Sequence, residues 1–146
     1  MEASPERIKY FGLCTETEVA SILANSVAAV VAVTNLRGRA DTGLAPIKLF
    51  EAMATGTPVI VTDLPFQREI VRESQCGIVV EASDPAALAR GVSQLFRNPD
   101  EAKRMGAAGR QAVLQTFSWR TAAEKTSTLL ESVISARRAK KRDMAF

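Results

Sequence analysis

Histidine is missing from this chain of 146 residues, and cysteine is present only twice. The lack of histidine removes the commonest general base, the usual partner of a nucleophilic serine and the commonest protein ligand of zinc. The two cysteines, Cys14 and Cys76, are too far apart in sequence for a CxxC pair, so we expect ordinary thiols and no disulfide framework. Chemistry in this chain must therefore use carboxylates, lysine, arginine or backbone dipoles, and we expect no metal site.

Long hydrophobic runs are also missing. No apolar run approaches the roughly 20 residues of a membrane-spanning helix, and the N-terminus MEASPERIKYF does not have the pattern of a secretory signal. The hydrophobic fraction of 47% and the charged fraction of 24% are typical of a soluble globular domain, so we expect a cytoplasmic protein. Neither GxGxxG nor GxxxxGK[ST] is present, which argues against dinucleotide oxidoreductases and P-loop NTPases.

The positive charge of the chain is concentrated at its C-terminus. Residues 137–146 contain five basic residues and one acidic residue, whereas residues 1–136 contain 14 basic and 15 acidic residues, a net charge of −1. We therefore separate a body, 1–136, from a basic tail, 137–146. The tail is compatible with a solvated helix end or with attraction to anionic lipid. Nucleic acid is not an expected partner, because no aromatic residues are interleaved to stack on bases.

Short apolar runs alternate with helical patterns as far as residue 80. The run 27–34 is apolar at both odd and even positions, which is typical of a parallel strand covered on both faces. This alternation predicts an α/β fold, a Rossmann-like parallel sheet with flanking helices and a helical C-terminal part that wraps it. The predicted strands are 8–12, 27–34, 58–62 and 76–80; the predicted helices are 18–25, 46–55, a short one opened by Pro65, 85–97, 99–115 and one from Trp119 into the tail.

The stretch GLAPIKLFEAMATGTPVIVTD, 43–63, joins a glycine loop, a helix start and a buried strand. In an open parallel sheet, ligands bind where strands end and loops lead into helices. Gly43 permits close approach of a ligand to the backbone, and the first amides of the helix after Pro46 favour a phosphate. Lys48 lies in the first turn, where a cation is unfavourable unless it meets an anion. Glu51 shares its helix face, and the simple alternative is an exposed Lys48–Glu51 pair.

These residues resemble the nucleotide-sugar signature of the family 4 (group 1) retaining glycosyltransferases, which have the GT-B fold. The segment CGIVVEASDPAALARGVSQLFRNPDEAKRMGAAGRQAVLQTFSW resembles the segment after the signature in that family, and the resemblance covers roughly residues 8–130. It implies transfer of a hexosyl group from a nucleotide-diphosphate sugar, with retention and without a metal. It also implies that Glu51 binds the ribose hydroxyls of the donor, that the Gly43 and Leu44 amides hold its diphosphate, and that Lys48 meets the phosphates or Glu51.

The loop before the signature adds candidate contacts with the diphosphate or the sugar. Many family members have a second acidic residue eight positions before the ribose carboxylate, where this chain has Gly43. Asp41 is a candidate to replace part of that contact, whereas solvated loop residues are the simple alternative. The further candidates are Arg37, Arg39 and Thr42.

The resemblance also implies that parts of the family's enzyme are not in this sequence. The run 8–12 resembles the third strand of the C-terminal donor-binding domain, and the first two strands, a basic pair near them and the N-terminal acceptor half are missing. With a parent strand order of 3-2-1-4-5-6, the run 27–34 would have an uncovered edge. We therefore expect an incomplete, truncated donor-binding portion that is inactive alone and lacks its N-terminal GT-B half.

Two functions of other classes stay open. The chain could be a noncatalytic α/β interaction module, or a basic-tailed protein at the inner face of a membrane. The acceptor, the base and the sugar are not indicated by the sequence.

Overall fold

The computed structural model describes residues 7–34 and 46–143. Helices and strands alternate up to the third strand, and helices come after it, as the sequence predicts. In chain order the elements are α1 (Glu16–Ala24), β1 (Ala29–Val31), α2 (Ile47–Thr55), β2 (Val59–Thr62), α3 (Pro65–Ser74), β3 (Gly77–Val80), α4 (Pro85–Arg97), α5 (Pro99–Ala112), a π-helical segment (Val113–Phe117) and α6 (Trp119–Asp143).

The three strands form a parallel sheet in the order β1-β2-β3, which confirms the predicted α/β class. The register sets Val30 opposite Ile60 and Ile60 opposite Ile78. Every residue of the central strand β2 is buried. By contrast, Val30 in β1 is 46% exposed, so the prediction that the run 27–34 is covered on both faces is wrong. The reason is that β1 lies at the edge of the sheet and has one strand neighbour among the described residues.

The predicted strand over 8–12 is also wrong. This segment forms no strand, and Ile8, Tyr10 and Phe11 are exposed. A β-strand is stable only when a neighbouring strand accepts and donates its backbone hydrogen bonds. Within the described residues, the sheet begins with β1 and offers no such neighbour to this segment.

Both faces of the β2–β3 region are covered by helices. On one face, Leu49 and Met53 of α2 and Ile70 of α3 pack with Val59 and Val61 of β2. On the other face, Ile60 and Val80 pack with Leu95 of α4 and Ala102 of α5. Because side chains alternate along a strand, the continuous apolar run 58–62 supplies both of these cores.

Close backbone packing fixes α5 against the turn that leads into β2. Gly56 ends α2 with a φ of 77°, as its predicted role as a helix stop requires. A Cβ atom on Gly106 of α5 would lie 1.9 Å from the Gly56 carbonyl oxygen. Only glycine permits this approach, so α5 and the Gly56 turn are held at backbone contact.

The C-terminal helices are arranged differently from the prediction that they wrap the sheet. Helix α5 packs on the core, ends at Ala112 and continues as the π-helical segment, whereas the described side chains of α6 beyond Thr121 are exposed. Ser118 caps α6 as predicted, and the Thr121 amide donates to its hydroxyl at 3.1 Å. The predicted boundary between body and tail, at residues 136 and 137, lies inside α6. None of the helices in the described ranges is long and apolar enough to cross a bilayer.

Candidate functional site

The site is built around the start of α2. Pro46 precedes the helix with a ψ of 133°, and it makes no side-chain capping bond to the first turn. The Leu49 amide donates to the Pro46 carbonyl oxygen at 2.9 Å, which tightens this turn. The first amides of a helix carry partial positive charge and point away from the helix body, so they are suited to an anionic ligand.

Lys48 and Glu51 are both exposed on α2. They do not form an ion pair with each other: in the described ranges, the side-chain ion pairs join Arg68 to Asp63 and Arg90 to Asp84. The sequence spacing placed the two side chains on neighbouring positions, but proximity along a helix does not require contact. Both charged groups are exposed, and within the described ranges neither forms an ion pair.

Glu51 borders a groove of about 390 Å³ between α1 and α2. The two helices pack with small and aliphatic side chains toward this groove, and the carboxylate of Glu51 lies on its α2 side. The lining residues are Cys14, Glu16, Val19, Ala20, Leu23, Glu51, Ala54 and Thr55. A carboxylate beside an aliphatic wall can accept hydrogen bonds from two neighbouring hydroxyls while a flat ring contacts the wall.

A capping box fixes the α1 wall of this groove. The Thr15 amide donates to the Glu18 carboxylate at 2.7 Å, and the Glu18 amide donates to the Thr15 hydroxyl at 3.4 Å. The bonds from Thr15 to the Glu18 carboxylate lower its pKa, because they stabilise the charged form. The motif starts α1 at Glu16 instead of the predicted residue 18.

A single buried hydroxyl connects α1 to the turn after α2. Thr57 is 3% exposed and donates from its Oγ1 to the Leu23 carbonyl oxygen at 2.7 Å. Leu23 is the last groove-lining residue of α1, and α1 itself has no buried residue. The Thr57 bond is therefore a specific polar link that holds one wall of the groove against the core.

The sequence did not single out the α1 side of the groove. Cys14, Glu16 and Val19 were not candidates for a site, because their proximity to Glu51 depends on how α1 packs against α2. One local signal was present: the T-x-x-E pattern at Thr15 and Glu18 predicts a helix start. With that start, Val19 and Leu23 lie one turn apart on the same face of α1.

A second cleft, of about 210 Å³, lies where the three strands end. This is the edge at which an open α/β sheet binds ligands, and two of its polar side chains, Thr62 and Asp84, are already bonded within the fold. The Thr62 hydroxyl donates to the Val33 carbonyl oxygen at 2.6 Å, and the Asp84 carboxylate caps α4 by accepting from two amides. Hydrogen bonds from the Ala87 and Ala86 amides lower the pKa of Asp84. The groove beside Glu51 is the candidate site because a predicted site residue lines it, whereas none lines the second cleft.

Six of the predicted site residues lie outside the described residues. They fall between Thr34 and Pro46 in the sequence, and their predicted contacts stay predictions. These residues are Arg37, Arg39, Asp41, Thr42, Gly43 and Leu44.

Neither cysteine belongs to a metal site in the part of the chain that the structure describes, where no three potential metal ligands lie together. The Cys76 side chain is buried in the core under α3. Burial raises the pKa of its thiol, because the thiolate loses its hydration. Cys76 is therefore an unreactive core residue, whereas Cys14 borders the groove.

The fold and the groove define a Rossmann-like α/β protein with a candidate nucleotide site at a helix start. The solved structure of sucrose-phosphate synthase from Thermosynechococcus elongatus has the same fold. It superposes with a TM-score of 0.76 over 90% of this chain and 31% of that chain, at 24% sequence identity.

The family is shown by the sequence comparison. The model of the family described as glycosyl transferases group 1 matches residues 4–112, which is more than half of the chain. The chain therefore belongs to the group 1 glycosyltransferases. This membership confirms the resemblance carried by the stretch 43–63 and by the segment that begins at Cys76.

Curated relatives agree with this assignment. A phosphatidyl-myo-inositol mannosyltransferase from Mycobacterium leprae is 39% identical over 90 residues, covering 62% of this chain and 24% of the relative. A D-inositol 3-phosphate glycosyltransferase from Streptomyces griseus is 36% identical over 92 residues, covering 63% of this chain and 19% of the relative. The matched parts of this chain thus span a quarter or less of these relatives.

Proposed function

We propose that this chain supplies the donor-binding part of an enzyme that transfers a hexosyl group from a nucleotide-diphosphate sugar. The observation that carries the proposal is the position of Glu51, whose side chain borders an aliphatic groove one turn into a helix whose N-cap residue, Pro46, makes no side-chain capping bond. Family membership supports the class of reaction. The two relatives are named as a mannosyltransferase and a glycosyltransferase, which are enzymes that transfer sugars.

The ribose and the base are proposed to occupy the groove. The two oxygens of the Glu51 carboxylate would each accept a hydrogen bond from one ribose hydroxyl, because a carboxylate matches a pair of vicinal hydroxyls. Val19 and Leu23 offer an aliphatic surface for the flat face of the base. Charge-assisted bonds of this kind contribute about 1.5–3 kcal/mol each, so one carboxylate can dominate the affinity.

The diphosphate is proposed to lie at the start of α2. The first-turn amides, the Lys48 ammonium group and the amides of Gly43 and Leu44 would stabilise its negative charge. As the bond between the sugar and the diphosphate breaks, this charge grows, and fixed donors stabilise the transition state more than the ground state. We propose that no metal is required. Arg37 and Arg39 are further candidates for the diphosphate, and Asp41 and Thr42 for the sugar.

The complete reaction is proposed to need a second polypeptide region. An N-terminal GT-B half would bind the acceptor, so the chain is expected to bind a donor and to be inactive alone. Retention at the anomeric carbon is proposed for the whole enzyme, which we expect to work in the cytoplasm.

Direct binding measurements test the donor site. UDP and GDP are titrated into the full chain in a calorimeter, and the Glu51→Ala variant is expected to bind at least about tenfold more weakly. The matched control is Glu69→Ala, which removes a carboxylate from α3 outside the groove. Equal affinity of the Glu51→Ala variant and the unmodified chain would contradict the proposal.

The sheet edge favours a second candidate function, a noncatalytic interaction module. Val30 of β1 and the apolar residues of the segment 8–13 are exposed, and exposed apolar edges pair readily with other chains. This function predicts no response to either nucleotide and stable co-purification of one partner. Nucleotide binding that depends on Glu51 would rule it out as the sole function.

A further inference from the structure

Two threonine hydroxyls lie in series between the groove and helix α1. Thr55 is the last residue of α2 and lines the groove that Glu51 borders. Its Oγ1 atom lies 3.0 Å from Oγ1 of Thr57, which is buried. The Thr57 hydroxyl donates to the Leu23 carbonyl oxygen at 2.7 Å, and Leu23 lines the groove from α1. A side chain of one groove wall is thus connected to the opposite wall through a buried hydroxyl.

The number of protons restricts how these hydroxyls can bond. A threonine hydroxyl donates one hydrogen bond and can accept two. Because the Thr57 proton is used on the Leu23 carbonyl oxygen, Thr57 can only accept from Thr55. If Thr55 donated elsewhere, the two hydroxyl oxygens would lie 3.0 Å apart with no proton between them, and they would repel each other. The arrangement that makes both contacts favourable runs from Thr55 to Thr57 to Leu23, and we call it the hydroxyl relay.

A bond within α2 is the competing use of the Thr55 proton. The Thr55 hydroxyl lies 2.8 Å from the Ala52 carbonyl oxygen and 3.3 Å from the Glu51 carbonyl oxygen. Threonine in a helix often donates to a carbonyl of the preceding turn. However, the Ala52 carbonyl oxygen already accepts from the Thr57 amide at 3.0 Å, so it stays paired when Thr55 donates to Thr57 instead.

We propose that Thr55 is a positioning residue of the nucleotide groove and that it acts through the hydroxyl relay. The ligand is the nucleotide of the proposed function, on which this role rests. Helix α1 has no buried residue, so few contacts fix its distance from α2. By directing the Thr57 proton to Leu23, Thr55 would hold the aliphatic wall of Val19 and Leu23 at a fixed distance from Glu51. A wall that is ordered before binding lowers the entropic cost of binding.

Hydrogen bonds in series also strengthen one another, because each polarises the next. Loss of the Thr55 hydroxyl should therefore weaken the bond from Thr57 to the Leu23 carbonyl oxygen, although neither of those residues is changed. This effect at a distance is what distinguishes the relay from a bond within α2.

Hydrogen exchange of the free chain tests the relay without any nucleotide. Thr55→Val keeps a branched side chain of similar size and removes the hydroxyl. We expect the amides of α1 to exchange about three- to tenfold faster, the range that corresponds to one neutral hydrogen bond. The amides of β2 should keep their rates, which shows that the core is folded. Thr55→Ser keeps the hydroxyl and should restore slow exchange in α1. Unchanged exchange of α1 in Thr55→Val would overturn the proposal.

A double substitution separates the relay from the bond within α2. When Thr57→Val has already broken the relay, adding Thr55→Val is expected to change the exchange of α1 by less than about twofold. The matched control is Thr128→Val in α6, which removes a hydroxyl that donates to the Glu124 carbonyl oxygen of its own helix. This control should leave α1 unchanged. If the effects of Thr55→Val and Thr57→Val multiplied, the two residues would act separately and the relay would be excluded.

Nucleotide affinity shows whether the relay serves the groove. UDP and GDP are titrated into the same variants, and Thr55→Val is expected to bind about threefold or more weakly, whereas Thr55→Ser should differ by less than about twofold. Faster exchange of α1 with unchanged affinity, in a chain that binds nucleotide, would mean a purely structural role and would overturn the proposal. A chain that binds neither nucleotide, but in which Thr55→Val still accelerates exchange of α1, would contradict the donor site and support the relay. The two proposals can therefore fail separately.

Discussion

The strands β1 and β2 are neighbours with similar apolar sequences, yet they have different environments. Every residue of β2 is buried between α2 and α3 on one face and α4 and α5 on the other. β1 is a short edge strand with a half-exposed Val30, and the apolar segment before α1 is exposed as well. Two strands of similar apolar sequence are therefore buried to different extents, because burial depends on whether neighbouring strands and helices cover the strand.

The candidate site lies between α2, which packs on the core around β2, and α1, which follows the exposed segment 8–13. The helix that forms its α2 wall is anchored in the core by the buried residues Leu49, Ala52 and Met53, whereas α1, which forms the other wall, has no buried residue. Glu51 is therefore held on a firmly packed helix, whereas α1 is held by the packing of Leu23 against the core and by the Thr57 hydrogen bond to the Leu23 carbonyl oxygen. Ligand affinity should respond to substitutions on the α1 side that hardly change the stability of the core.

The largest expected contrast is between two leucines. Leu49→Ala removes a fully buried side chain from α2 and is expected to lower the free energy of unfolding by about 2–5 kcal/mol. Leu13→Ala alters a fully exposed side chain before α1 and should change it by less than about 0.5 kcal/mol. Urea denaturation measures both. Equal losses would mean that the segment before α1 is packed in solution, which would contradict the comparison.

A smaller effect is expected at Thr57, whose hydroxyl connects α1 to the turn after α2. Thr57→Val keeps the volume of the side chain but removes the hydrogen bond to the Leu23 carbonyl oxygen, so we expect a loss of about 1 kcal/mol in the free energy of unfolding. The same variant should weaken nucleotide binding, because α1 loses the hydrogen bond that connects Leu23 to Thr57. Thr126→Val is the control, since Thr126 bonds only within the exposed helix α6. If Thr57→Val left nucleotide affinity unchanged, the α1 wall would not be part of the site.

The smallest predicted effect is a loss of stability at acidic pH. Backbone hydrogen bonds lower the pKa of Asp84 and Glu18 below their ordinary values of 3.8 and 4.5. Their contributions to stability are therefore complete above those ordinary values and are lost as the pH falls through the lowered pKa values. Asp84→Asn keeps a capping side chain without a titrating group, so its urea midpoint should decline less below pH 3.8 than that of the unmodified chain. An identical decline would exclude Asp84 as a source of the acid dependence.

The elements of the core could be predicted from local sequence. Pro46 and Gly56 delimit α2, and Asp84 caps α4. The run 58–62 forms the strand β2, whose residues are all buried. These features depend on residues within one turn or one strand. The family could be predicted for the same reason, since its signature is a continuous stretch.

Features that depend on distant neighbours could not be predicted. The run 8–12 has strand composition but no partner strand among the described residues, and the strand does not form. The spacing of Lys48 and Glu51 suggested a pair that is absent from the ion pairs of the described ranges. The groove requires α1 to pack beside α2, and nothing local to Cys14 or Glu16 indicates that packing.

The most direct test of the central claim is a two-dimensional amide NMR titration of the chain with UDP and with GDP. We expect dispersed peaks, with shifts confined to the start of α2, to Glu51 and to the α1 residues that line the groove, and no such shifts in Glu51→Ala. Shifts confined instead to the cleft at the ends of the three strands, or no shifts from a folded chain, would contradict the assignment of the donor site to Glu51.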